Sequence, residues 1–352
     1  MKRILVDRHH AALLYSLQLL FEGRLGMELY VPVGMEWWEQ GYWRFGEAWG
    51  DDRLARQFLA ANPPWTRDGS DYTERDFGWY CFDADYPHRL VRGIQLDEFR
   101  ELGDWKVVMA TVQENQAGFH RLAGECGAAS AYQVGNARQW VEWGLDQRFL
   151  VSTSQELPAG VSGVQYRQEF EKDTVFAAAN RPLGTLPTSA ASFVNLLERL
   201  PEQWDRFARA EALLPSWKFR THGHDSRDGF VQPASDVAAR MAEVGFAWHD
   251  KPSGDGFGHV LHSWAAIGRP IIGTYAYYDG QLARPLLEDG VTGFDLGARS
   301  IEETVKLMEV AGLGELPDWY GYGSMCREIR RRLDASCDFA GDAERIRVLL
   351  EL

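Results

Sequence analysis

The sequence predicts an α/β protein made of two Rossmann-like domains in tandem, and three observations carry that prediction. Its 352 residues amount to about two domains at roughly 150 residues each. In both halves short apolar runs alternate with helix-forming stretches, the pattern of parallel strands joined by helices. Between the halves a Pro/Gly/Ser-rich stretch, SQELPAGVSG at 154–163, interrupts the alternation and marks a boundary.

The first domain opens with KRILVD (2–7) as a strand, AALLYSLQLL (11–20) as a helix closed by Gly23 or Gly26, and 28–33 as a second strand. Parallel sheets bind ligands at the C-terminal ends of their strands, which places Asp7, Arg8, His9 and His10 where chemistry is expected. Residues 36–90 are dense in Trp, Tyr, Phe, Gly and Asp without helical period, and are expected to form an aromatic-rich insertion. Alternation resumes with a strand at 105–111, a helix at 117–126 and strands at 129–134 and 148–153. In the second half, strands are predicted at 173–179, 218–222, 246–249 and 270–274, and helices at 189–200, 234–244 and 258–267. Helices at 301–311 and 324–333 follow, the latter within the basic run CREIRRRLD, whose expected role is a solvated face.

Composition narrows the function classes. With 45% hydrophobic and 25% charged residues the chain is globular rather than disordered. Its 37 Lys+Arg against 51 Asp+Glu give a net charge of −14, which argues against a sequence-independent polyanion binder unless cations cluster locally. Cys81, Cys126, Cys326 and Cys337 show no CxxC spacing, so neither a zinc knuckle nor a disulfide framework is expected. No apolar run approaches the length of a membrane span or a secretory core, and a cytoplasmic protein without membrane insertion is expected. The 14 Trp, 13 Tyr and 18 Phe serve either core packing or stacking on sugars or bases.

The most informative chemistry lies between 245 and 296. Gly254, Gly256 and Gly258 bracket a strand-to-helix turn, where backbone N–H groups approach a diphosphate closely and the helix N-terminus adds favourable partial charge. Four fragments follow in order: Asp255-Gly256-Phe257-Gly258, then 263–270 (SWAAIGRP), then 271–274 (IIGT), then 288–294 (EDGVTGF). Together they resemble the C-terminal nucleotide-sugar-binding domain of GT-B glycosyltransferases, especially the retaining group with E-G-F-G, E-A-M-A-x-G-x-P, V-I-x-T and E-D-G-x-x-G-F. FAAANRPL at 176–183 is similar to the first strand of that domain, ending in Arg181. The N-terminal half matches as architecture.

The resemblance implies two domains facing across a cleft: 1–160 binding the acceptor, with the insertion at about 36–90, and 161–352 binding the nucleotide sugar, the last helix packing back on the first domain. It implies a metal-independent, retaining hexosyl transfer from a nucleoside-diphosphate sugar, UDP-glucose or another UDP-sugar favoured, with no cofactor beyond that donor. By the same resemblance Asp255 contacts the donor sugar, Arg181 the diphosphate, and Gly256, Phe257 and Gly258 form the donor turn. The family's second acidic residue is Ser263 here, flanked by His262, and Leu186 stands at its Lys. Lys251 is the expected substitute cation, with Arg220 and Arg227 as weaker candidates. The family's N-terminal His is also absent, so His9 or His10 is expected to orient the donor or take the acceptor's proton. Glu114, at a strand end, is a candidate base, and Asn115, Trp37 and Trp38 are candidate acceptor contacts. His222, His224 and Asp225 form a metal-like cluster that the fold does not require. The acceptor is a hydroxyl, either a hydroxymethylated DNA base, as in phage enzymes of this architecture, or a glycan or small molecule. A sugar-nucleotide epimerase and a non-catalytic sugar-nucleotide binder are the alternative functions.

Overall fold

A computed structural model describes residues 2–7, 11–43, 53, 65–66, 79–81, 91–136, 139–180, 188–223, 225–231, 234–252, 256–312 and 321–352. The chain forms two compact units, one of Met1–Phe170 with Phe339–Leu352 and one of Glu171–Asp338.

In the first unit β1 (Arg3–Val6) is a central strand with Ile4, Leu5 and Val6 fully buried, as expected of an apolar run covered on both faces. It leads into α1 (Ala11–Gln18), which continues as a π-helical turn over Leu19–Arg24, and then β2 (Glu28–Pro32). The expected insertion contributes α2 (Glu36–Glu39), β3 (Trp65–Thr66) and β4 (Trp79–Cys81). After β5 (Val91–Ile94) comes α3 (Leu96–Leu102), started by a capping box in which Gln95 and Glu98 satisfy each other's backbone N–H. The unit continues through β6 (Trp105–Ala110), a short 3-10 turn Gln113–Asn115, α4 (Gln116–Cys126), β7 (Ala129–Val134), β8 (Arg148–Val151) and β9 (Gly163–Gln165). The strand order is β3-β4-β5-β2-β1-β6-β7-β8-β9. All neighbours from β5 to β9 pair in parallel, and only the β3–β4 and β4–β5 pairs are antiparallel. The chain therefore moves outward from β1 on one side, then returns to pair β6 on the other. The turn of direction is a switch point between β1 and β6.

The second unit begins with a π-helical turn Lys172–Ala177, where a strand is predicted. Phe176 is buried and the turn packs against α6 and α7, introduced below. Its first strand is instead β10 (Ser189–Ser192), where a helix is predicted. Ala190, Ala191 and Ser192 are buried between two parallel neighbours, so sheet pairing overrides the helix propensity of alanine. Helix forms only afterwards, as a 3-10 turn Leu197–Arg199 and as α5 (Pro201–Leu213), which carries Pro in its first turn. Then follow β11 (Lys218–Thr221), α6 (Ala234–Ala242), β12 (Phe246–Trp248), α7 (His259–Ile267), β13 (Ile271–Gly273), β14 (Gly293–Asp295), α8 (Ile301–Gly312) and α9 (Tyr322–Ser336). The sheet is fully parallel in the order β11-β10-β12-β13-β14, which sets a second switch point between β10 and β12. The basic helix α9 is internally paired: Arg331 and Arg332 both bond Glu328, and Arg332 also reaches Glu288.

The chain then returns to the first unit as α10 (Phe339–Leu349). Ala343 and Ile346 of this helix, with Leu350 just beyond it, complete the core against Leu14 and Phe21, and the Asp342 carboxylate accepts the Arg167 N–H at 2.9 Å.

Candidate functional site

In open parallel sheets the C-terminal strand ends at a switch point are where ligands bind. In the second unit those ends are Ser192 of β10 and Trp248 of β12, the latter followed by His249, Asp250 and Lys251. The turn onward to α7 carries Gly256, Phe257 and Gly258. Gly258 caps α7 with φ +83, the left-handed region, which a residue with a Cβ reaches only with strain. Gly273 serves a close approach, because a Cβ there would run into the carbonyl oxygen of His249.

Asp250, fully buried, fixes this end of the sheet. Its carboxylate accepts the Thr274 N–H at 3.1 Å and pairs with Arg206 at 3.1 Å, and Arg206 also donates to the Thr274 hydroxyl at 2.8 Å. The bridge ties the end of β12 to the end of β13. Asp250 and Arg206 carry no motif, and their pairing across 44 residues has no signal in sequence.

Of the residues expected to serve the donor, Gly256, Phe257, Gly258, His262 and Ser263 come together at the start of α7. His262 is fully buried, its Nδ1 lies 2.9 Å from the Gly258 carbonyl oxygen, and its ring stacks on Phe257 with centroids 4.1 Å apart, so it shapes the turn. Phe257 is likewise buried, so the turn offers backbone rather than the phenyl ring. Lys251 follows β12 and is half-buried. Arg220 is paired with Asp228 at 2.7 Å and Arg227 with Glu211 at 2.9 Å, so both weaker cations are engaged locally. Arg181 and Asp255 lie outside the described residues, and the segment before Arg181 is not the first strand of the unit. The fourth fragment is a bracing turn: Asp289 pairs with Arg299 and accepts the Asp295 N–H at 2.9 Å.

Beside β11 and α6 lies a cavity of about 730 Å³ lined by Arg220, His222, Asp228, Phe230, Arg240 and Glu243 among others. The His222 ring packs on Phe193 at 4.8 Å, and burial pushes its pKa down. His224 of the metal-like cluster lies outside the described residues.

In the first unit the switch point between β1 and β6 is occupied by Asp7. Its carboxylate accepts from Thr111 N (2.7 Å), Thr111 Oγ1 (2.5 Å), Val112 N (3.1 Å) and Asn115 Nδ2 (2.9 Å). Burial nevertheless pushes its pKa up to about 6. Asn115, expected as an acceptor contact, is fully buried and its Nδ2 donates to Asp7. Glu114, one residue earlier, is half-buried. Trp37, likewise expected as an acceptor contact, has its ring fully buried against Phe99, with centroids 5.4 Å apart, and its indole N–H donates to the Ile94 carbonyl at 3.0 Å. Trp38 packs partly buried on the same cluster. The aromatic wealth of 36–43 is core. His9 and His10 lie outside the described residues.

No family model matches the sequence, and no curated protein matches it. Solved structures do match over their whole length. Anabaena HepE, in complex with UDP-glucose, is 10% identical with all of both chains covered and a TM-score of 0.60. The pneumococcal O-GlcNAc transferase GtfA, in complex with UDP and GlcNAc, is 12% identical over 100% of this chain and 98% of that one, at 0.57. An alpha-glucosyltransferase in complex with UDP and a 13-mer DNA containing an HMU base is 7% identical over 99% of each chain, at 0.61. Two sheets of parallel strands, each with its own switch point, and this whole-length likeness give the chain the fold of GT-B glycosyltransferases, two Rossmann-like domains in one polypeptide.

Proposed function

We propose that the protein is a glycosyltransferase that moves a sugar from a UDP-sugar to a hydroxyl acceptor, holding the donor on the second unit and the acceptor on the first. The observation that carries this reading is the glycine turn at the second switch point, where Gly258 in a left-handed conformation opens the N-terminus of α7. Anionic groups are favoured at a helix N-terminus by its N–H groups and by the helix dipole. The UDP complexes formed by proteins of the same fold support it.

In this reading the bond between the sugar C1 and the diphosphate oxygen breaks while an acceptor oxygen bonds to C1. The diphosphate leaves with the bonding electrons. Its charge is met by the α7 N–H groups, by Lys251 and by Arg181. Asp255 holds the hydroxyls of the sugar, and Ser263, in the first turns of α7, bonds the ribose through a neutral contact where a carboxylate would give a charge-assisted one. Glu114 takes the acceptor's proton, with His9 or His10 on the adjoining loop. Retention of configuration belongs to the same reading, with the acceptor oxygen approaching C1 from the face the diphosphate leaves, and so does independence of metal, since helix and side-chain cations supply the charge.

Titration calorimetry against UDP, GDP and ADP, followed by hydrolysis of UDP-glucose, tests it. UDP is expected to bind, and Lys251→Ala and Asp255→Ala to weaken binding or turnover. A chain that binds no nucleoside diphosphate refutes the proposal.

A further inference from the structure

On the first unit, the loop after β7 carries Trp140, a large ring left 60% exposed. Single exposed apolar residues are ordinary. What sets this one apart is the bracing beneath it. Gln139 accepts the N–H groups of Gly135 (3.0 Å) and Asn136 (3.2 Å) and donates to the Thr111 carbonyl (3.0 Å) and the Tyr132 hydroxyl. Gln155 donates to the carbonyls of Asn136 (3.0 Å) and Gln139 (2.7 Å). Gln116 takes both backbone groups of Glu142, at 3.0 and 3.3 Å. Gln113 accepts the Trp140 N–H at 3.2 Å and donates to the Glu114 carboxylate at 3.1 Å. Four side-chain amides thus brace the described residues 135–136 and 139–142, and the last of them joins the Trp140 backbone N–H to the candidate base.

We infer that Trp140 is the stacking platform of the acceptor subsite and that the ring it receives is a sugar of a neutral glycan; this rests on the glycosyl-transfer reading above. The C–H face of a pyranose packs on an indole, and amides and carboxylates around it satisfy sugar hydroxyls, which both donate and accept. The charge of the surroundings selects this class over nucleic acid. The described residues of 111–116 and 135–145 include Glu114 and Glu142 and no Lys or Arg, whereas a strand of phosphates requires cations along its path. Arg138 lies outside the described residues. A preset platform also lowers the ordering cost of binding, because the loop needs no rearrangement to present its ring.

The test uses the full chain. Wild type, Trp140→Ala and Trp140→Tyr are applied to a printed array of neutral oligosaccharides and to a single-stranded DNA oligonucleotide, with UDP binding by calorimetry and thermal unfolding measured on each. The expected result is glycan binding by the wild type, weakened about fivefold or more in the alanine variant and largely restored by tyrosine, with UDP affinity and unfolding temperature unchanged. No glycan binding by the wild type, glycan binding indifferent to Trp140→Ala, or DNA bound in preference through Trp140 each overturns the inference. Loss of UDP binding in the wild type is a separate failure, that of the glycosyl-transfer reading, and leaves the array result to be judged alone.

Discussion

At the switch point of the first unit stands the Asp7 carboxylate, which takes four hydrogen bonds from the end of β6 and the turn that follows. At that of the second unit the buried carboxylate, Asp250, bonds sideways to β13 and Arg206, and the turn into α7 is left to glycine. The same supersecondary geometry is therefore finished in two ways. One ends the strand in a side chain that takes four hydrogen bonds from its neighbour. The other enters its helix through a glycine in the left-handed region. On the function proposed above, the first stands on the acceptor side and the second meets the diphosphate.

The largest test breaks the sideways bond of the second unit. Arg206→Ala leaves Asp250 buried without its cation, and is expected to destabilise that unit by about 3–5 kcal/mol, measured as the free energy of urea unfolding. Arg206→Lys is expected to recover part of this.

The next test titrates the carboxylate of the first unit. Asp7 has a folded pKa of about 6 against an ordinary 3.8. Between these values the native state keeps a proton that the unfolded chain has released, so stability falls as pH rises from about 4 to about 6 and is level above. At about 1.4 kcal/mol per unit the fall is about 3 kcal/mol. Urea midpoints across this window, compared with those of Asp7→Asn, are expected to show a slope in the wild type that the variant lacks.

A smaller effect is expected at the glycine turn. Gly258→Ala forces a Cβ into the left-handed region, which costs about 1–2 kcal/mol, and UDP affinity is expected to fall with it. Gly256→Ala, at a position where φ is not positive among the described residues, is the control for side-chain bulk alone. The smallest is Ser263→Ala, for which the loss of one neutral hydrogen bond, about 1 kcal/mol, is expected as about a fivefold weaker affinity for UDP with unfolding unchanged.

What sequence conveys here follows from where the physical cause is local. RILV of β1 and WKVVMA of β6 announce themselves because strands buried on both faces need continuous apolar residues. The run from β12 through α7 to β13 is legible for a related reason: glycine, an apolar helix and another apolar strand follow within 28 residues, 246–273. SAAS of β10 is illegible, since its small residues are chosen to let neighbours approach and alanine by itself favours helix. The glycine turn is legible as a strand-to-helix turn because backbone conformation constrains residue type directly. Asp7 and Asn115 are not legible, because their partnership spans 108 residues and arises only when β1 and β6 become neighbours. Trp37 misleads since stacking platforms and cores draw on the same side chains. Trp140 escapes notice for the converse reason: its meaning lies in the glutamines under it.

The placement of α10 has a consequence for how the molecule is made. Residues 1–170 and 339–352 share one unit, and 171–338 form the other. During synthesis the ribosome delivers every residue of the second unit before it delivers the helix that closes the core of the first. Phe170 and Phe339, which meet edge to face at 6.4 Å, are the two stitches on either side of that excursion. Until the second stitch is sewn, the core cluster of Leu14 and Phe21 lacks Ala343, Ile346 and Leu350, and incomplete cores expose apolar surface to chaperones. Circular permutation that moves 339–352 to the front, so that it emerges beside 1–170, is a way to let the two halves mature in the order in which they are read.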